Sequence, residues 1–337
     1  MKNLTALIRR HAQAFGYVFT VILPVLLRTV RRPVIFSRFA GMGDIVCTLP
    51  AALELKKRYP GATFIYNCAA SFACLPRMGG VTERVTNLRT IGLVGHWYGW
   101  LLAGFYPFSY GDEASHTAST EIVIREYGRP FGVETGDTHP RLTINPAVLS
   151  RVKLHLSRIG SGLENLILIH PGPSWPVRTW PQEQWLELLR HLRGHGFTNI
   201  VQVGAGIRNY ANVGAEEFPP LPETLSLVDQ LSVEETIALI SLARLFVGID
   251  SGLLHFAACT ETKAVGIFGP TTPNLRFAPA FTKSFVTSRA ECQGCHHRLP
   301  RLHWEKNCPH DIRCMKEIRM EEVLCVCLAE LTTENKS

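Results

Sequence analysis

Short apolar runs of strand length alternate with helix-length segments, and this alternation constrains the chain more than any other feature. A strand-type run at 33–36 leads through a loop at 37–44 into a helix that ends at 56–58, and a second strand follows at 62–67. Strand, helix and strand in so short a segment form a right-handed βαβ unit, whose strands are parallel. The sequence therefore predicts an α/β fold.

A second series of the same kind begins near residue 163. Its strand-type runs end at His170, Val203, Ile249 and Phe268. Within it, Ser232 stands three residues before Glu235, a capping-box pattern that predicts the start of a helix. Two such series indicate two α/β domains, and in sheets of this kind ligands bind beyond the carboxyl ends of the strands.

Length and composition fit this division. The chain has 337 residues, of which 46% are hydrophobic, enough to fill two cores. We expect an apolar and basic N-terminal segment at 1–32, a first Rossmann-like domain at 33–155 and a second at 156–337.

Between the two series, residues 90–120 are rich in glycine and aromatic residues and predict neither helix nor strand. They form either an acceptor-binding loop or an ordinary packed loop.

The N-terminal segment contains thirteen mostly apolar residues at 15–27, with arginines on both sides. A membrane-spanning helix needs about 20 such residues, and no signal-peptide cleavage site follows. Two interpretations remain: a segment that lies on an anionic membrane surface, and a helix packed on the protein's own surface.

The net charge of +7 suits a membrane surface or a phosphorylated substrate as partner. The alternative is that the charge reflects only a solvated basic surface. Without a basic run interleaved with aromatic residues, nucleic acid is not an expected partner.

The clearest chemical motif is Asp250-Ser251-Gly252-Leu253-Leu254-His255, which joins a strand to a helix. Free backbone N–H groups at a helix start bind phosphate, Gly252 allows close approach of a ligand, and Ser251 adds a hydroxyl. His255 lies one turn further and can face the same ligand. The alternative interpretation is that Asp250 and Ser251 are ordinary helix N-caps.

A second strand-to-helix loop runs from His170 to Pro181 and contains Arg178. The guanidinium group of Arg178 can hold a diphosphate through charge-assisted hydrogen bonds. The alternative is a rigid proline-rich loop with an exposed arginine. No Asp-x-Asp pair is present to bind a sugar nucleotide through a divalent cation, so these two loops are expected to carry the leaving-group charge.

The segment Gly41-Met42-Gly43-Asp44 opens the first helix. It is not a dinucleotide-binding fingerprint, because Cys47 occupies the third glycine position and Asn67 stands where an acidic residue is required. A carboxylate in the first turn of a helix stays ionised, which suits Asp44 as a general base. The alternative is an N-cap.

Ten cysteines without a signal peptide indicate a reducing, cytosolic compartment. Four of them are close together in sequence: Cys292, Cys295, Cys308 and Cys314. This spacing predicts a structural metal knuckle with zinc or iron, in which a nearby histidine (His296, His297 or His310) can replace one thiol. The alternative is a set of free cysteines.

Taken in order, these segments resemble the lipopolysaccharide heptosyltransferase family, that is glycosyltransferase family 9. The resemblance covers about residues 34–320. It rests on Arg38 with the run 43–51, on the run 170–181, on the run 248–258 and on Phe268-Gly269-Pro270-Thr271.

That family implies a GT-B fold of two Rossmann-like domains facing each other across a cleft, here with an apolar N-terminal helix and a cysteine knuckle. It also implies inverting transfer without a metal cofactor. Asp44 matches the catalytic base of the family, Arg38 and Gly43 are expected at the acceptor, and Arg178 stands where many members have lysine. The residues expected to bind the donor are Ser174, Arg178, Trp180, Asp250, Ser251, Gly252 and His255.

The expected function is transfer of a heptose or related sugar from an ADP-sugar to lipopolysaccharide or another cell-surface glycan, by a peripheral enzyme on the inner face of the cytoplasmic membrane. The acidic residues that the family often carries after 203–206 are replaced by Ile207-Arg208-Asn209-Tyr210, so the donor nucleotide stays open. Two other functions also stay open: a non-catalytic protein that binds nucleotide sugars or saccharides, and a sugar-nucleotide epimerase of similar fold.

Overall fold

The computed structural model describes residues 2–24, 33–88, 106–109, 121–172, 175–206, 218–278, 284–298 and 308–333. The chain forms two compact units. Unit 1 comprises Met1–Ala114 and Ile124–Gly136, and unit 2 comprises Ser115–Val123 and Asp137–Ser337. The expected boundary at residue 155 falls inside a helix, Pro146–Arg158, that lies wholly within unit 2.

Unit 1 is a four-stranded parallel sheet with helices. The strands are β1 (Pro33–Ser37), β2 (Thr63–Asn67), β3 (Val85–Thr86) and β4 (Tyr106–Ser109), in the order β3-β2-β1-β4. The helices are α1 (Lys2–Tyr17), α2 (Met42–Arg58), α3 (Cys74–Met78) and α4 (Val123–Gly128). The predicted βαβ unit is β1-α2-β2. Strand β4 corrects the expectation that 90–120 contains no strand; residues 90–105 and 110–120 lie outside the described residues.

Helix α2 begins within the segment expected to open it, so the loop predicted at 37–44 ends earlier than its stated bound. Gly41 is its N-cap in an extended conformation, and Met42 is its first residue. Asp44 therefore lies in the first turn and is not the N-cap. The basic residues 56–58 lie in the last turn, where they complement the helix dipole.

The N-terminal helix packs on unit 1 at one end and is exposed at the other. Its C-terminal part, with the π-helical turn Val18–Ile22, packs Tyr17, Val18 and Ile22 against apolar residues of β1 and β2. Its N-terminal part instead leaves Leu4 and Ile8 about 60% exposed. None of the described helices has both the length and the apolar character needed to cross a bilayer.

Unit 2 is a six-stranded parallel sheet in the order β10-β9-β8-β5-β6-β7. Its strands are β5 (Ile167–His170), β6 (Ile200–Gln202), β7 (Leu225–Ser226), β8 (Leu245–Ile249), β9 (Lys263–Phe268) and β10 (Ser284–Thr287). Its helices are α5 (Pro146–Arg158), α6 (Gln182–Gly194), α7 (Val233–Leu242), α8 (Gly252–Ala258), α9 (Pro273–Arg276), α10 (Cys295–Arg298), α11 (Arg313–Lys316) and α12 (Met320–Thr332). The predicted capping box at Ser232 and Glu235 is confirmed. The central strands β5 and β8 are buried along their whole length, as their apolar runs predicted.

The sheet is tightly packed around Gly266 in β9. A β-carbon added there would lie 2.6 Å from the ring of Phe268 and 2.8 Å from Leu254. Overpacking of a core costs about 1–3 kcal/mol. We expect Gly266→Ala to lower the free energy of unfolding by about that amount, measured by urea denaturation of the whole chain.

Gly194, in the last turn of α6, provides the matched control. A β-carbon there meets no atom within 4 Å, so Gly194→Ala should leave stability unchanged or raise it by up to about 1 kcal/mol. Equal unfolding midpoints for the two variants would contradict tight packing at β9.

Candidate functional site

Three loops of unit 2 meet at one edge of its sheet. Strands β5, β8 and β9 are parallel neighbours, so the segments after His170, Ile249 and Phe268 leave the sheet at the same edge. Two of these segments are the motifs that the sequence identified. The third, Gly269–Arg276, contains Thr271 and ends in the short helix α9.

Asp250 lies at the centre of these loops. Its side chain is buried, and its Oδ2 lies 3.6 Å from Nη1 of Arg178 and 3.8 Å from Nε of Arg276. Burial alone raises the pKa of Asp250, but Arg178, and after it Arg276, His255 and Thr271, hold that pKa below its ordinary value. The carboxylate is therefore ionised at neutral pH, and its side chain binds cations instead of capping helix α8.

Arg178, which the sequence predicts at the leaving diphosphate, lies against the loop of Asp250. Its Nη1 donates to the main-chain carbonyl of Asp250 at 3.4 Å, and its guanidinium carbon lies 4.6 Å from the centre of the Trp175 ring. These contacts fix the plane of the guanidinium group. Its side chain is 13% exposed, so part of the group stays accessible to a ligand.

Ser251 is the N-cap residue of α8, but its side chain makes no capping hydrogen bond. Its buried Oγ has no hydrogen-bond partner within the part of the chain that the structure describes. Gly252 follows as the first residue of α8 and is half-buried. A hydroxyl in this environment favours a ligand that supplies the missing hydrogen bond.

His255 is paired with a second histidine. Its Nδ1 lies 2.8 Å from Nε2 of His139, and both rings stack on Phe277. Burial, and in addition His255, lowers the pKa of His139 well below its usual value, so His139 is neutral. The pair fixes the orientation of the His255 ring beside Asp250.

Trp180 and Ser174 were also expected to bind the donor. Trp180 is fully buried, contacts Trp185 edge-to-face, and donates its indole N–H to the carbonyl of Ile318 at 2.9 Å. Assigning it to the donor was wrong, because its one polar atom is satisfied inside the core. Ser174 lies outside the described residues.

Sequence reasoning missed Arg276 and His296. Nη2 of Arg276 lies 3.0 Å from Nε2 of His296, whose ring centre is 5.9 Å from that of Trp175. Arg276 follows the motif Gly269-Pro270-Thr271 by five residues, and this was the only signal available. His296 was considered as a metal ligand, whereas its Nε2 faces a guanidinium group.

In unit 1, Asp44 is held by two side chains. The hydroxyl of Tyr127 donates to its Oδ1, and Nη2 of Arg38 lies 3.7 Å from the same oxygen. Arg38 also donates to the Tyr127 hydroxyl at 3.2 Å and lies over its ring. The Asp44 side chain is 28% exposed, so a carboxylate with a fixed orientation remains accessible for proton transfer.

The two residues expected to bind the acceptor are less accessible than predicted. The Arg38 side chain is 3% exposed and is engaged with Asp44 and Tyr127. Arg38 therefore positions Asp44, and this corrects the prediction that it contacts an acceptor directly. Gly43 is buried in the first turn of α2.

The four cysteines of the predicted metal knuckle are electrostatic neighbours. Burial, followed by the proximity of Cys292, Cys295 and Cys308, raises the pKa of Cys314 to about 12. Burial and then Cys292 and Cys308 raise the pKa of Cys295. Within the described residues, no three of these four sulfur atoms all lie within 4.8 Å of one another. The thiols are thus clustered but not at the separations of a closed tetrahedral centre.

Comparison with known sequences identifies the relatives of this chain. The family model for glycosyltransferase family 9 (heptosyltransferase) matches residues 115–305, more than half of the chain. Lipopolysaccharide heptosyltransferase 1 of Pseudomonas aeruginosa is 22% identical over 343 residues, which cover 87% of this chain and 93% of that protein.

Solved structures have the same fold. The glycosyl transferase family 9 protein of Veillonella parvula superimposes with a TM-score of 0.64 at 13% identity, covering 89% of this chain and 97% of that one. The dodecameric iron-containing heptosyltransferase TibC, in complex with ADP-D-beta-D-heptose, gives a TM-score of 0.64 at 16% identity, covering 89% and 76%. The predicted GT-B class of α/β fold is confirmed. The chain belongs to glycosyltransferase family 9, the heptosyltransferase family, and is a glycosyltransferase.

Proposed function

We propose that this protein is an inverting glycosyltransferase that moves a heptose, or a related sugar, from an ADP-sugar to lipopolysaccharide or another cell-surface glycan. The observation that carries the proposal is the ionised, buried Asp250 bound by Arg178, beside the oriented His255. A buried cationic group held in a fixed plane suits the diphosphate of a sugar nucleotide.

The chemical step needs a base and a stabilised leaving group. The Asp44 carboxylate takes the proton of an acceptor hydroxyl, and the hydroxyl oxygen forms a bond to the anomeric carbon of the donor sugar. The bond between that carbon and the diphosphate oxygen breaks in line, which inverts the configuration. Arg178 and the Ser251 hydroxyl stabilise the negative charge of the departing nucleoside diphosphate.

The contacts of Asp44 suit this role. Tyr127 and Arg38 hold one oxygen, Oδ1, and this fixes the orientation of the carboxylate group. The acceptor proton goes to the carboxylate once the hydroxyl is within hydrogen-bond reach. A binding function alone would not require an oriented carboxylate at this position.

The names of relatives guide the choice of donor and acceptor. TibC was solved with ADP-D-beta-D-heptose, and the Pseudomonas relative is named for lipopolysaccharide. We therefore place the reaction at the cytosolic face of the membrane, where a glycolipid acceptor is accessible.

The first prediction concerns the base. We expect Asp44→Asn to lower the rate of sugar transfer by a factor of about 10²–10⁴ while the dissociation constant for ADP stays within about twofold of wild type. Transfer is measured by mass spectrometry of the acceptor, and binding by calorimetry. Transfer by this variant at a near wild-type rate would show that Asp44 is not the base.

The same assays separate the other functions. A binding protein would bind the nucleotide sugar without any transfer by the wild type. An epimerase would convert the sugar nucleotide when no acceptor is present. Comparing ADP-, UDP- and GDP-sugars as donors tests the nucleotide, and preferential use of a UDP- or GDP-sugar would refute the assignment to ADP.

We also propose that the cysteine knuckle holds a structural zinc or iron ion through Cys292, Cys295, Cys308 and Cys314. The pKa of the Cys314 thiol is raised by burial and then by the neighbouring thiols, and a bound cation would stabilise the thiolates. The ion would tie the segment around 292–298 to the segment around 308–314.

Elemental analysis of the purified chain tests the metal. We expect close to one zinc or iron per chain in the wild type and a loss of most of it in Cys292→Ser. Cys325→Ser is the matched control, because Cys325 is exposed on α12 outside the knuckle. Equal metal content in all three proteins would contradict the site.

The exposed part of α1 supports a membrane-surface partner. Leu4, Leu7 and Ile8 are 48–61% exposed, and the neighbouring Arg9 and Arg10 are also exposed. Apolar side chains flanked by arginines suit the headgroup region of an anionic bilayer. We propose that this part of α1 docks the enzyme on the membrane that carries its acceptor.

Vesicle co-sedimentation tests the docking. We expect the wild type to bind vesicles containing 30 mol% phosphatidylglycerol and to bind pure phosphatidylcholine vesicles far less. Leu4→Ser with Ile8→Ser should reduce binding to the anionic vesicles at least about fivefold. Leu154→Ser removes a side chain that is 50% exposed in unit 2 and serves as the control. Equal binding by all variants would rule out α1 as the docking element.

A further inference from the structure

Arg276, which lies beside Asp250, and its neighbour His296 take no part in the proposed transfer step. Arg276 is the last residue of α9, and His296 lies in α10, directly after Cys295 of the cysteine knuckle. We propose that Arg276 is a second residue that binds the diphosphate of the nucleotide, and that His296 positions it. This inference rests on the proposed donor site.

The charges around Asp250 point to an anionic ligand. Arg178 and Arg276 both approach the same oxygen, Oδ2, so two guanidinium groups share one carboxylate. The charge of these three groups together is +1. Two cations held this close repel one another in a low-dielectric environment, and a diphosphate would remove that repulsion.

The negative and the positive side chains of this cluster differ in their exposure to solvent. The Asp250 side chain is 3% exposed, whereas the side chains of Arg178 and Arg276 are 13% and 15% exposed. The negative group is therefore covered, and the two positive groups retain surface that a ligand can reach. A diphosphate has two groups of oxygens, enough to accept hydrogen bonds from both guanidinium groups.

The contact with His296 orients Arg276. A guanidinium group has only donors, so Nη2 of Arg276 donates and Nε2 of His296 accepts over 3.0 Å. Its Nε lies 3.8 Å from Oδ2 of Asp250, an ion-pair distance, so the guanidinium group is held between Asp250 and His296.

Hydrogen bonds between the segment of His296 and the loop after β9 hold His296 in place. Its backbone N–H donates to the carbonyl of Pro270 at 2.9 Å, and that of Gly294 donates to the carbonyl of Gly269 at 3.1 Å. The side chain of Gln293 donates to the carbonyl of Thr271 at 3.1 Å. The segment that carries the first two cysteines thus forms one wall of the proposed diphosphate site, and its position sets that of Arg276.

Calorimetry with inorganic pyrophosphate and with ADP tests the role of Arg276. Loss of a charge-assisted hydrogen bond costs about 1.5–3 kcal/mol, so we expect Arg276→Gln to weaken both dissociation constants by about 10- to 100-fold. Arg289→Gln makes the same change of charge at a side chain that is 89% exposed and pairs with Glu322. This control should bind both ligands within about twofold of wild type.

A second pair of variants tests positioning by His296. His296→Gln keeps an acceptor atom and should bind pyrophosphate within about threefold of wild type, whereas His296→Leu removes the acceptor and should bind about 3- to 10-fold more weakly. Equal affinities for these two variants would overturn the positioning role.

A more conservative variant separates an effect on folding from an effect on ligand binding. Arg276→Lys keeps the charge next to Asp250 but loses the planar fork. We expect it to unfold within a few degrees of the wild type and still to bind pyrophosphate more weakly. Wild-type affinity in folded Arg276→Gln or Arg276→Lys would overturn the inference on Arg276 and leave the proposed donor site standing. If the wild type binds neither pyrophosphate nor any nucleoside diphosphate, the proposed donor site fails together with it.

Discussion

The buried carboxylate of Asp250 is the interaction on which the three loops at the edge of the unit 2 sheet depend. Removing a charged group from water costs several kcal/mol, and this cost is offset only when cationic partners and hydrogen bonds are in place. Here Arg178 and Arg276 supply that compensation, and they come from two different loops. One carboxylate therefore links three loops that follow three neighbouring strands. A change at Asp250 would leave two guanidinium groups facing each other, so binding and stability at this position are coupled.

Much of the fold follows from local patterns in the sequence. The strand Leu245–Ile249 and the capping box at Ser232 lie where the sequence predicted them, because each is encoded by adjacent residues. The proximity of Arg178 and Asp250 was also predictable, because parallel neighbouring strands bring the loops after them to one edge of the sheet. The loop before α2 was predicted to run to Asp44 but ends at Gly41, which caps the helix without a polar side chain and so without the usual sequence signal.

The remaining parts of the site depend on contacts between residues far apart in sequence. Tyr127 contacts Asp44 although 83 residues separate them, and neither residue's neighbours indicate the pairing. Trp180 lies in a motif that contains ligand-type residues, yet its ring is part of the core, and spacing alone cannot distinguish the two environments. Arg276 and His296 belong to segments that were interpreted separately, one as the end of a strand motif and one as part of a metal knuckle. Only the packing of the Gly294 segment against Gly269 brings them together.

The strand order of unit 2 has a consequence for synthesis of the protein. Strand β5 lies between β6 and β8, but Leu245 of β8 pairs with Ile167, which leaves the ribosome much earlier. The last wall of the site, around His296, is made later still. A nascent chain therefore cannot complete the proposed nucleotide site until nearly all of unit 2 has emerged. A nucleotide bound at this proposed site would protect the finished enzyme against unfolding. It would not guide the early strands into register, and that task would fall to their apolar side chains.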